Sequence, residues 1–240
     1  MRPGLFVTFE GGEGTGKSTQ MERLVARLER RGIVPLQTRE PGGTPLAERI
    51  RALLLEPADA RPDEAERRDA FLDATRAGAA AHRARPGAPP GAVTELLLME
   101  AARADLVEHF LRPALAAGRV VLCDRYDDST LAYQGGGRGL DDDVITSLNR
   151  LATGGLRPDV TLLFDLDPSV GQQRLGAARA DLNRLDREPL EFHRRVRERY
   201  LRMAAAEPGR FAVVDAALPP DTLEERVWAV VEPRLSPGIR

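Results

Sequence analysis

Residues Gly11 to Ser18 read GGEGTGKS, a stretch of the form G-x-x-x-x-G-K-[ST] that lies between an apolar run and a helical pattern. The run is Leu5–Phe9, and the apolar residues after the loop recur at the three- and four-residue spacing of an amphipathic helix. A strand that leads into the loop and a helix that begins within it are the context in which this motif binds phosphate. The stretch therefore predicts a phosphate-binding loop, with a chance glycine-rich turn as the alternative.

The residue types in this loop suit a nucleoside triphosphate. Glycines let successive backbone N–H groups turn toward phosphate oxygens, and the helix N-terminus adds the positive end of its dipole. Lys17 is placed to reach the β- and γ-phosphates, and Ser18 offers a hydroxyl to Mg²⁺. The candidate ATP-binding residues are Gly11, Gly12, Glu13, Gly14, Thr15, Gly16, Lys17, Ser18 and Thr19.

Length and composition limit the class of protein. The chain has 240 residues, enough for one sizeable domain or two small ones. Its 35 Lys and Arg nearly balance its 37 Asp and Glu, so no nucleic-acid or membrane surface is expected. The single cysteine, Cys123, fits a reducing compartment, and its place at the end of an apolar run favours a core thiol over a nucleophile. With no signal-like segment or membrane span, a cytoplasmic location is expected.

Strands that alternate with helices predict an α/β fold, in which helices cover both faces of a five-stranded parallel sheet. The predicted strands are Leu5–Phe9, Val34–Leu36, Val120–Cys123, Val160–Phe164 and Phe211–Val214. The predicted helices are Pro45–Leu55, Thr94–Ala117, Asp141–Leu151, Pro168–Arg179, Pro189–Ala205 and Thr222–Leu235. A charged, alanine-rich stretch followed by a proline-glycine linker predicts a surface insertion at about residues 56–92.

Two polar clusters follow predicted strands, at the sheet edge where α/β proteins bind ligands. Asp124, directly after the third strand, suits the residue that holds a Mg²⁺-bound water in phosphate-loop proteins. Arg39, in the segment Arg39–Thr44, suits an anionic substrate, with a charged turn that binds nothing as the alternative. A cis Glu40–Pro41 bond is expected because cis peptides concentrate at prolines in tight turns.

Together these motifs resemble the thymidylate kinase family, P-loop kinases that phosphorylate dTMP with MgATP. The resemblance rests on FEGGEGTGKSTQ, TREPGGTPLAERIRALLL, AARADLVE, CDRYDDSTLAYQGGGRGL, RPDVTLLFDLDP and FAVVDA, which cover most of the chain outside residues 56–92. It implies the P-loop kinase fold, a single domain over residues 1–240 with a lid at about residues 174–188, and a homodimer. The helix Thr94–Ala117 is a candidate interface, although core packing explains its apolar residues equally well.

The resemblance also implies a dTMP site. Glu13 matches the family's carboxylate near the sugar 3′-hydroxyl, and Tyr133 matches a tyrosine that packs on the deoxyribose and excludes a 2′-hydroxyl. Arg39, Arg51 and Arg125 match arginines near the dTMP phosphate, a role that suits the bidentate guanidinium group. The candidate dTMP-binding residues are Glu13, Arg39, Pro41, Arg51, Met99, Arg103, Arg125, Ser129, Thr130, Tyr133 and Gln134.

The base site departs from the family at one position. Arg103 resembles the arginine that hydrogen-bonds the thymine edge, and Ser129 and Thr130 match base-site positions. Four residues before that arginine the family usually has a phenylalanine that stacks on thymine, whereas this chain has Met99. Because a sulfur contact is worth less than aromatic stacking, we expect weaker base binding, with Met99 as ordinary core filler as the alternative.

Phosphoryl transfer depends on alignment and charge neutralisation more than on a covalent catalyst. Family members differ in whether an extra arginine comes from the loop or from the lid. This loop has Thr15 before Gly16 and no arginine, so the resemblance implies that the catalytic arginine comes from the lid. The family's lid pattern L-D-R-[IF]-E has carboxylates where this chain has the amide of Asn183 and the shorter Asp186. We therefore assign no metal or substrate role to these two residues. The lid arginines are Arg174, Arg179, Arg184 and Arg187. The candidate catalytic residues are Lys17, Arg125, Arg179 and Arg184, and the candidate metal ligands are Ser18 and Asp124.

Two other functions compete with dTMP phosphorylation. One is phosphorylation of another nucleoside monophosphate, which the Met99 departure keeps open. The other is a P-loop binding or regulatory protein that holds ATP without turning it over. Four arginines in the lid segment argue against the second function, because a protein that only binds ATP has no need of them.

Overall fold

Five parallel strands form the centre of the fold. The computed structural model describes residues 4–55, 89–178 and 183–235. Its strands are β1 (Leu5–Gly11), β2 (Leu36–Arg39), β3 (Val120–Asp124), β4 (Val160–Asp165) and β5 (Phe211–Asp215). They lie in the order β2-β3-β1-β4-β5, which confirms the predicted parallel sheet.

Helices cover both faces of this sheet. They are α1 (Lys17–Arg30), α2 (Pro45–Leu55), α3 (Ala92–Leu106), α4 (Arg112–Ala116), α5 (Asp127–Thr130), α6 (Asp142–Thr153), α7 (Pro168–Ala178), α8 (Leu190–Ala206) and α9 (Pro220–Val231). A π-helical turn, Val107–Leu111, joins α3 to α4, a second one, Leu131–Gly137, follows α5, and a 3₁₀ turn, Glu232–Arg234, follows α9. In the described ranges, no helix is both long enough and apolar enough to cross a bilayer.

The central strand, β1, is buried along its whole length, which explains why its sequence is almost continuously apolar. Its alternate side chains enter two separate cores. Val7 and Phe9 pack with residues of α1 and α9 on one face, whereas Phe6 packs with α3 and α4 on the other. In register, Phe9 pairs with Asp124 of β3 and Gly11 with Phe164 of β4. The strand thus carries the phosphate loop to the middle of the sheet edge.

The bounds of the second strand differ from the prediction. It was expected at Val34–Leu36, but β2 begins at Leu36 and continues to Arg39. Val34 is 57% exposed, and β2 alternates between half-buried and exposed residues because it lies at the edge of the sheet. Polar residues are tolerated on an exposed edge, so the apolar run marked only the start of the strand.

A helical segment over residues 127–137 was not predicted, because three consecutive glycines are poor helix formers. The glycines are explained by the packing of α8 against this segment. A Cβ atom built on Gly137 would lie 2.4 Å from the Phe192 ring, and one on Gly136 would lie 2.8 Å from Arg199. The close approach of α8 therefore requires residues without side chains here.

The predicted helix Thr94–Ala117 corresponds to α3, the first π-helical turn and α4. Cys123 is a buried free thiol, as expected for a core residue. The predicted insertion at about residues 56–92 lies mostly outside the described residues, which resume at residue 89. The division into one domain with an insertion and a lid stays a prediction.

Candidate active site at the phosphate loop

The phosphate loop connects β1 to α1 as predicted, and its glycines adopt backbone conformations that other residues avoid. Gly11, Gly14 and Gly16 have φ values of 130°, 68° and 83°. A Cβ atom on Gly11 would lie 2.4 Å from the carbonyl oxygen of Phe164, and one on Gly14 would lie 2.2 Å from that of Gly171. Both the left-handed geometry and the close neighbours require glycine at Gly11 and Gly14.

Lys17 places its ammonium group inside this loop. Nζ donates to the carbonyl oxygens of Gly11 at 3.2 Å and Gly12 at 2.7 Å, and to Thr15 Oγ1 at 3.4 Å. The residue is buried, and this burial lowers the pKa of the ammonium group, an effect to which the nearby Arg125 charge adds. A cation held against neutral carbonyl groups in this way is available to an anion that enters the loop.

A cavity of about 480 Å³ opens in front of the loop, a volume typical of small-molecule sites. It brings together most of the predicted site residues. Those on its wall are Glu13, Gly14, Thr15, Gly16, Lys17, Ser18, Thr19, Arg39, Pro41, Arg51, Met99, Asp124, Arg125, Ser129, Tyr133 and Gln134. The predicted residues that do not line it are Gly11, Gly12, Arg103, Thr130 and Arg184. Arg179 lies outside the described residues.

Arg125 has a strained backbone at the centre of the site. Its φ is 70°, a left-handed conformation that is costly for residues other than glycine and that clusters at functional sites. The guanidinium donates to the Gly11 carbonyl at 2.9 Å and to the Glu13 carboxylate, and it lies 4.9 Å from the centroid of the Tyr133 ring. Tyr133 in turn donates from its hydroxyl to Glu13 at 2.9 Å. Arg125, Glu13 and Tyr133 thus form one rigid group on the cavity wall.

Burial alone would raise the pKa of the Glu13 carboxyl, but the positive charges of Arg125 and Lys17 outweigh it and lower that pKa to about 2. Between about pH 2 and 4.5 the folded chain then binds fewer protons than the unfolded chain, so the Glu13 contribution to stability rises with pH across this window. At about 1.4 kcal/mol per pH unit, Glu13→Gln should remove about 3 kcal/mol of that rise.

Urea unfolding at a series of pH values measures the effect, with Glu29→Gln, an exposed change on α1, as the control. Parallel stability curves for Glu13→Gln and the unmodified chain below pH 4.5 would contradict the assigned ion pairs.

A second cationic group lines the same cavity as Lys17, next to a Glu40–Pro41 bond that is cis as predicted. Arg51 donates to the Pro41 carbonyl at 2.8 Å, and Arg39 donates to Glu48 at 3.0 Å. Burial lowers the pKa of the Arg51 guanidinium, and the like charge on Arg39 lowers it further. An anion bound between these guanidinium groups would relieve that repulsion.

Arg103 is placed differently from its predicted base contact. Its side chain is 1% exposed, and all five of its N–H donors are used within the protein. Nε and Nη2 donate to Glu40, Nη1 donates to Glu100 and to Asn149, and Nη2 also donates to the Tyr126 carbonyl. In this structure Arg103 joins α3 to the Glu40–Pro41 turn and has no donor left for a base.

The lid arginines do not act as one set. Arg174 lies on the cavity wall and donates to the Ala216 carbonyl at 3.0 Å, whereas Arg187 is exposed. Arg184, a predicted catalytic residue, instead donates to the Glu95 carboxylate and to the Leu54 carbonyl. Among the described lid arginines Arg174 therefore lines the cavity, whereas the candidate catalytic residues from the lid were Arg179 and Arg184.

The two unusual lid residues stabilise a turn. The Asn183 side-chain oxygen accepts from the backbone N–H groups of Leu185 at 2.8 Å and Asp186 at 3.1 Å. The Asp186 carboxylate accepts in return from the Asn183 backbone N–H at 2.9 Å. This reciprocal pattern explains the amide at residue 183, because an amide oxygen accepts these bonds as well as a carboxylate does.

Sequence reasoning missed a buried carboxylate beneath the site. Glu10 accepts hydrogen bonds from the Tyr126 backbone N–H, the Ser129 hydroxyl and the Tyr200 hydroxyl, each at 2.7 Å. It thereby fixes the turn that follows Arg125. The available signal was an acidic residue within an otherwise buried apolar strand, directly before the loop.

A phosphate loop, a carboxylate at the end of the adjacent strand and a cationic pocket beyond both define a nucleotide kinase of the P-loop class. A family model described as Thymidylate kinase matches residues 9–84 and 88–227. The chain belongs to the thymidylate kinase family.

Similar proteins agree over nearly the whole chain. A thymidylate kinase of Thermomicrobium roseum is 47% identical over 235 residues, which cover 98% of each chain. One of Deinococcus radiodurans is 47% identical over 234 residues, covering 98% of this chain and 99% of the relative. A crystal structure of thymidylate kinase from Ehrlichia chaffeensis has a TM-score of 0.68 at 29% identity, covering 95% of this chain and 98% of that one. The resemblance and the fold class predicted from the motifs are thus confirmed.

Proposed function

We propose that this chain transfers the γ-phosphoryl group of ATP to dTMP, giving ADP and dTDP, within the cavity in front of the phosphate loop. One observation carries the proposal beyond family membership. A single cavity is lined by Lys17 and the phosphate loop and also by the guanidinium groups of Arg39, Arg51 and Arg125. Two phosphates repel each other in water, and several cations on the wall of one cavity offset that repulsion.

The donor phosphates would occupy the loop, where Lys17 exchanges its bonds to carbonyl oxygens for bonds to phosphate. Ser18 and Asp124 would hold Mg²⁺, because both offer the oxygen ligands that this ion prefers. Asp124 Oδ1 is buried and receives no hydrogen bond from the described residues, as expected of an oxygen kept for a ligand. When bound, the ion would neutralise charge on the transferred phosphoryl group.

The acceptor phosphate would lie between Arg39, Arg51 and Arg125, and the deoxyribose would lie against Tyr133. No general base is required, since the attacking phosphate oxygen is already anionic. Arg125 would orient that phosphate while its own position is fixed by Glu13 and the Gly11 carbonyl. These roles depend on alignment, which the contacts of Arg125 with Gly11, Glu13 and Tyr133 support.

The base would lie between Met99 and Gln134, both on the cavity wall. Met99 also packs on a core cluster of α2 and α3, so it serves as core filler and as cavity wall at once. Gln134 is fully buried, and its Oε1 receives no hydrogen bond from the described residues. A pyrimidine N3–H is the donor that thymine would supply to this oxygen.

Steady-state turnover with dTMP, dUMP, dGMP and AMP tests the proposed acceptor. We expect dTMP to have the highest kcat/KM, with dUMP about 10- to 200-fold lower, because one methyl group contributes about 1–3 kcal/mol of discrimination. The purine nucleotides should react more slowly still, since their larger bases do not fit a site formed for a pyrimidine. A clear preference for any other acceptor would overturn the proposal.

We also propose a homodimer and a cytoplasmic location. Exposed apolar side chains on α2 and α3, namely Leu46, Leu53, Val93 and Leu97, support a contact between copies of the chain. The free, buried Cys123 thiol supports a reducing compartment.

A further inference from the structure

One carboxylate outside the cavity wall connects the base side of the site to the lid. Glu95 lies in the first turn of α3, and its side chain is 1% exposed. Its Oε1 accepts from Gln134 Nε2 at 2.7 Å and from Arg138 Nε at 3.4 Å. Its Oε2 accepts from Arg138 Nη2 at 3.3 Å and from Arg184. A buried carboxylate with donors from three residues is positioned by the fold, not left to solvent.

Glu95 carries a negative charge under ordinary conditions. Burial would raise the pKa of its carboxyl, but hydrogen bonds from Arg184, Gln134 and Arg138 outweigh that effect and lower the pKa below its usual value. An ionised carboxylate only accepts hydrogen bonds. Every group that bonds to Glu95 must therefore present a donor to it.

This requirement fixes the orientation of the Gln134 amide. A glutamine amide has two orientations of similar shape, which exchange its oxygen and its NH₂ group. With Glu95 on one side, the NH₂ group must face the carboxylate, so the oxygen is left on the other side. That oxygen is the buried acceptor without a donor from the described residues, and Gln134 lies on the cavity wall.

We infer that Glu95 is a positioning residue that determines which nucleotide receives the phosphoryl group, because it holds the Gln134 oxygen toward the base. The inference rests on the proposed function. An oxygen at this place accepts from the N3–H of thymine, whereas the N3 of cytosine carries a lone pair and repels it. A site in which this hydrogen-bond acceptor is fixed selects a pyrimidine that has a ring N–H and rejects dCMP.

Glu95→Gln reverses this arrangement while keeping the shape of the side chain. Arg184 and Arg138 only donate, so they hold the oxygen of the new amide, and its NH₂ group then faces Gln134. Gln134 must turn its own oxygen toward that NH₂ group, and its NH₂ group now faces the cavity. We expect the ratio of kcat/KM for dTMP to that for dCMP to fall about 10- to 100-fold.

The ratio separates this role from a general effect of Glu95 on the lid. Arg184→Met removes the lid partner but keeps the carboxylate, so it should lower turnover of both acceptors in proportion. Glu95→Asp keeps an acceptor-only group and should keep most of the preference for dTMP. Glu29→Gln, the same chemical change at an exposed position on α1, should leave the ratio as it is.

Two further variants complete the test. Glu95→Leu removes the carboxylate that accepts from Gln134 and leaves the Gln134 amide free to turn. The ratio of kcat/KM for dTMP to that for dCMP should therefore fall in this variant even if Glu95→Gln is poorly folded. In a Gln134→Leu background no amide remains to be oriented, so Glu95→Gln should no longer change the ratio.

Equal losses for dTMP and dCMP in both Glu95 variants, with the unmodified chain still preferring dTMP, would overturn this inference alone. An unmodified chain that uses dCMP and dTMP equally well would also overturn this inference alone, whereas a clear preference for dCMP would overturn it together with the proposed function.

Discussion

Lys17→Met is expected to lower kcat by about 10³-fold. Losses of this order follow the removal of one cation or hydrogen-bond donor that stabilises the charge of the transition state. The ammonium group lies inside the loop on neutral carbonyl oxygens and forms no close ion pair among the described residues, so it is available to phosphate. Methionine has a similar length and fills the same buried space without the charge. The loss should be mainly in kcat, because the proposed site for the dTMP phosphate is formed by other cations.

Initial rates at varied ATP and dTMP measure both parameters, and thermal unfolding checks that the variant is folded. Burial of the Lys17 ammonium already lowers its pKa, which shows that the charge is costly to bury, so its removal should change the melting temperature by only a few degrees. A folded Lys17→Met variant that keeps kcat within tenfold of the unmodified chain would exclude Lys17 as the group that neutralises the transferred phosphoryl.

Arg103→Leu is expected to destabilise the fold by about 3–5 kcal/mol, the usual cost of removing one partner from a buried ion pair. Its guanidinium is within 2.7 Å of Glu40 and 2.6 Å of Glu100, and both carboxylates are nearly fully buried. Burial raises the pKa of Glu40, and Arg103 opposes that rise. With Arg103 present the pKa of the Glu40 carboxyl is about 7, and without Arg103 it would rise further. The loss of stability should therefore grow as pH rises above about 7.

Urea unfolding at two or more pH values tests this result. Arg194→Leu is the matched control, since its pair with Glu191 is exposed on both sides and should be worth less than about 1 kcal/mol. If the two variants lost similar stability, the buried network would contribute no more than a surface pair.

The sequence predicted those parts of the site that consecutive residues determine. The phosphate loop, the strand before it and the helix after it are encoded within residues 5–30, and glycine spacing leaves few other conformations for Gly11 and Gly14. The cis Glu40–Pro41 bond was also predictable, because only proline makes it common.

The parts that were missed depend on residues far apart in the chain. Arg103 was expected to face the base, but Glu40 lies 63 positions before it and Asn149 lies 46 positions after it. No local pattern shows that these acceptors meet one guanidinium. The helix over residues 127–137 was missed for a similar reason, since its glycines are explained only by the packing of α8.

The register of the sheet has a consequence for how closely the two substrates approach each other. Arg39 of β2 pairs with Asp124 of β3, which in turn pairs with Phe9 of β1. Residues of the proposed acceptor site, the proposed metal site and the phosphate loop thus extend from three adjacent strands. Neighbouring strands are about 4.8 Å apart, which separates the acceptor strand from the loop strand by about 10 Å. Backbone hydrogen bonds hold this separation, and a slip of one residue would turn the Arg39 side chain to the opposite face. The distance between the two proposed phosphate sites is thus set by the strand spacing, which side-chain substitutions in the cavity leave unchanged.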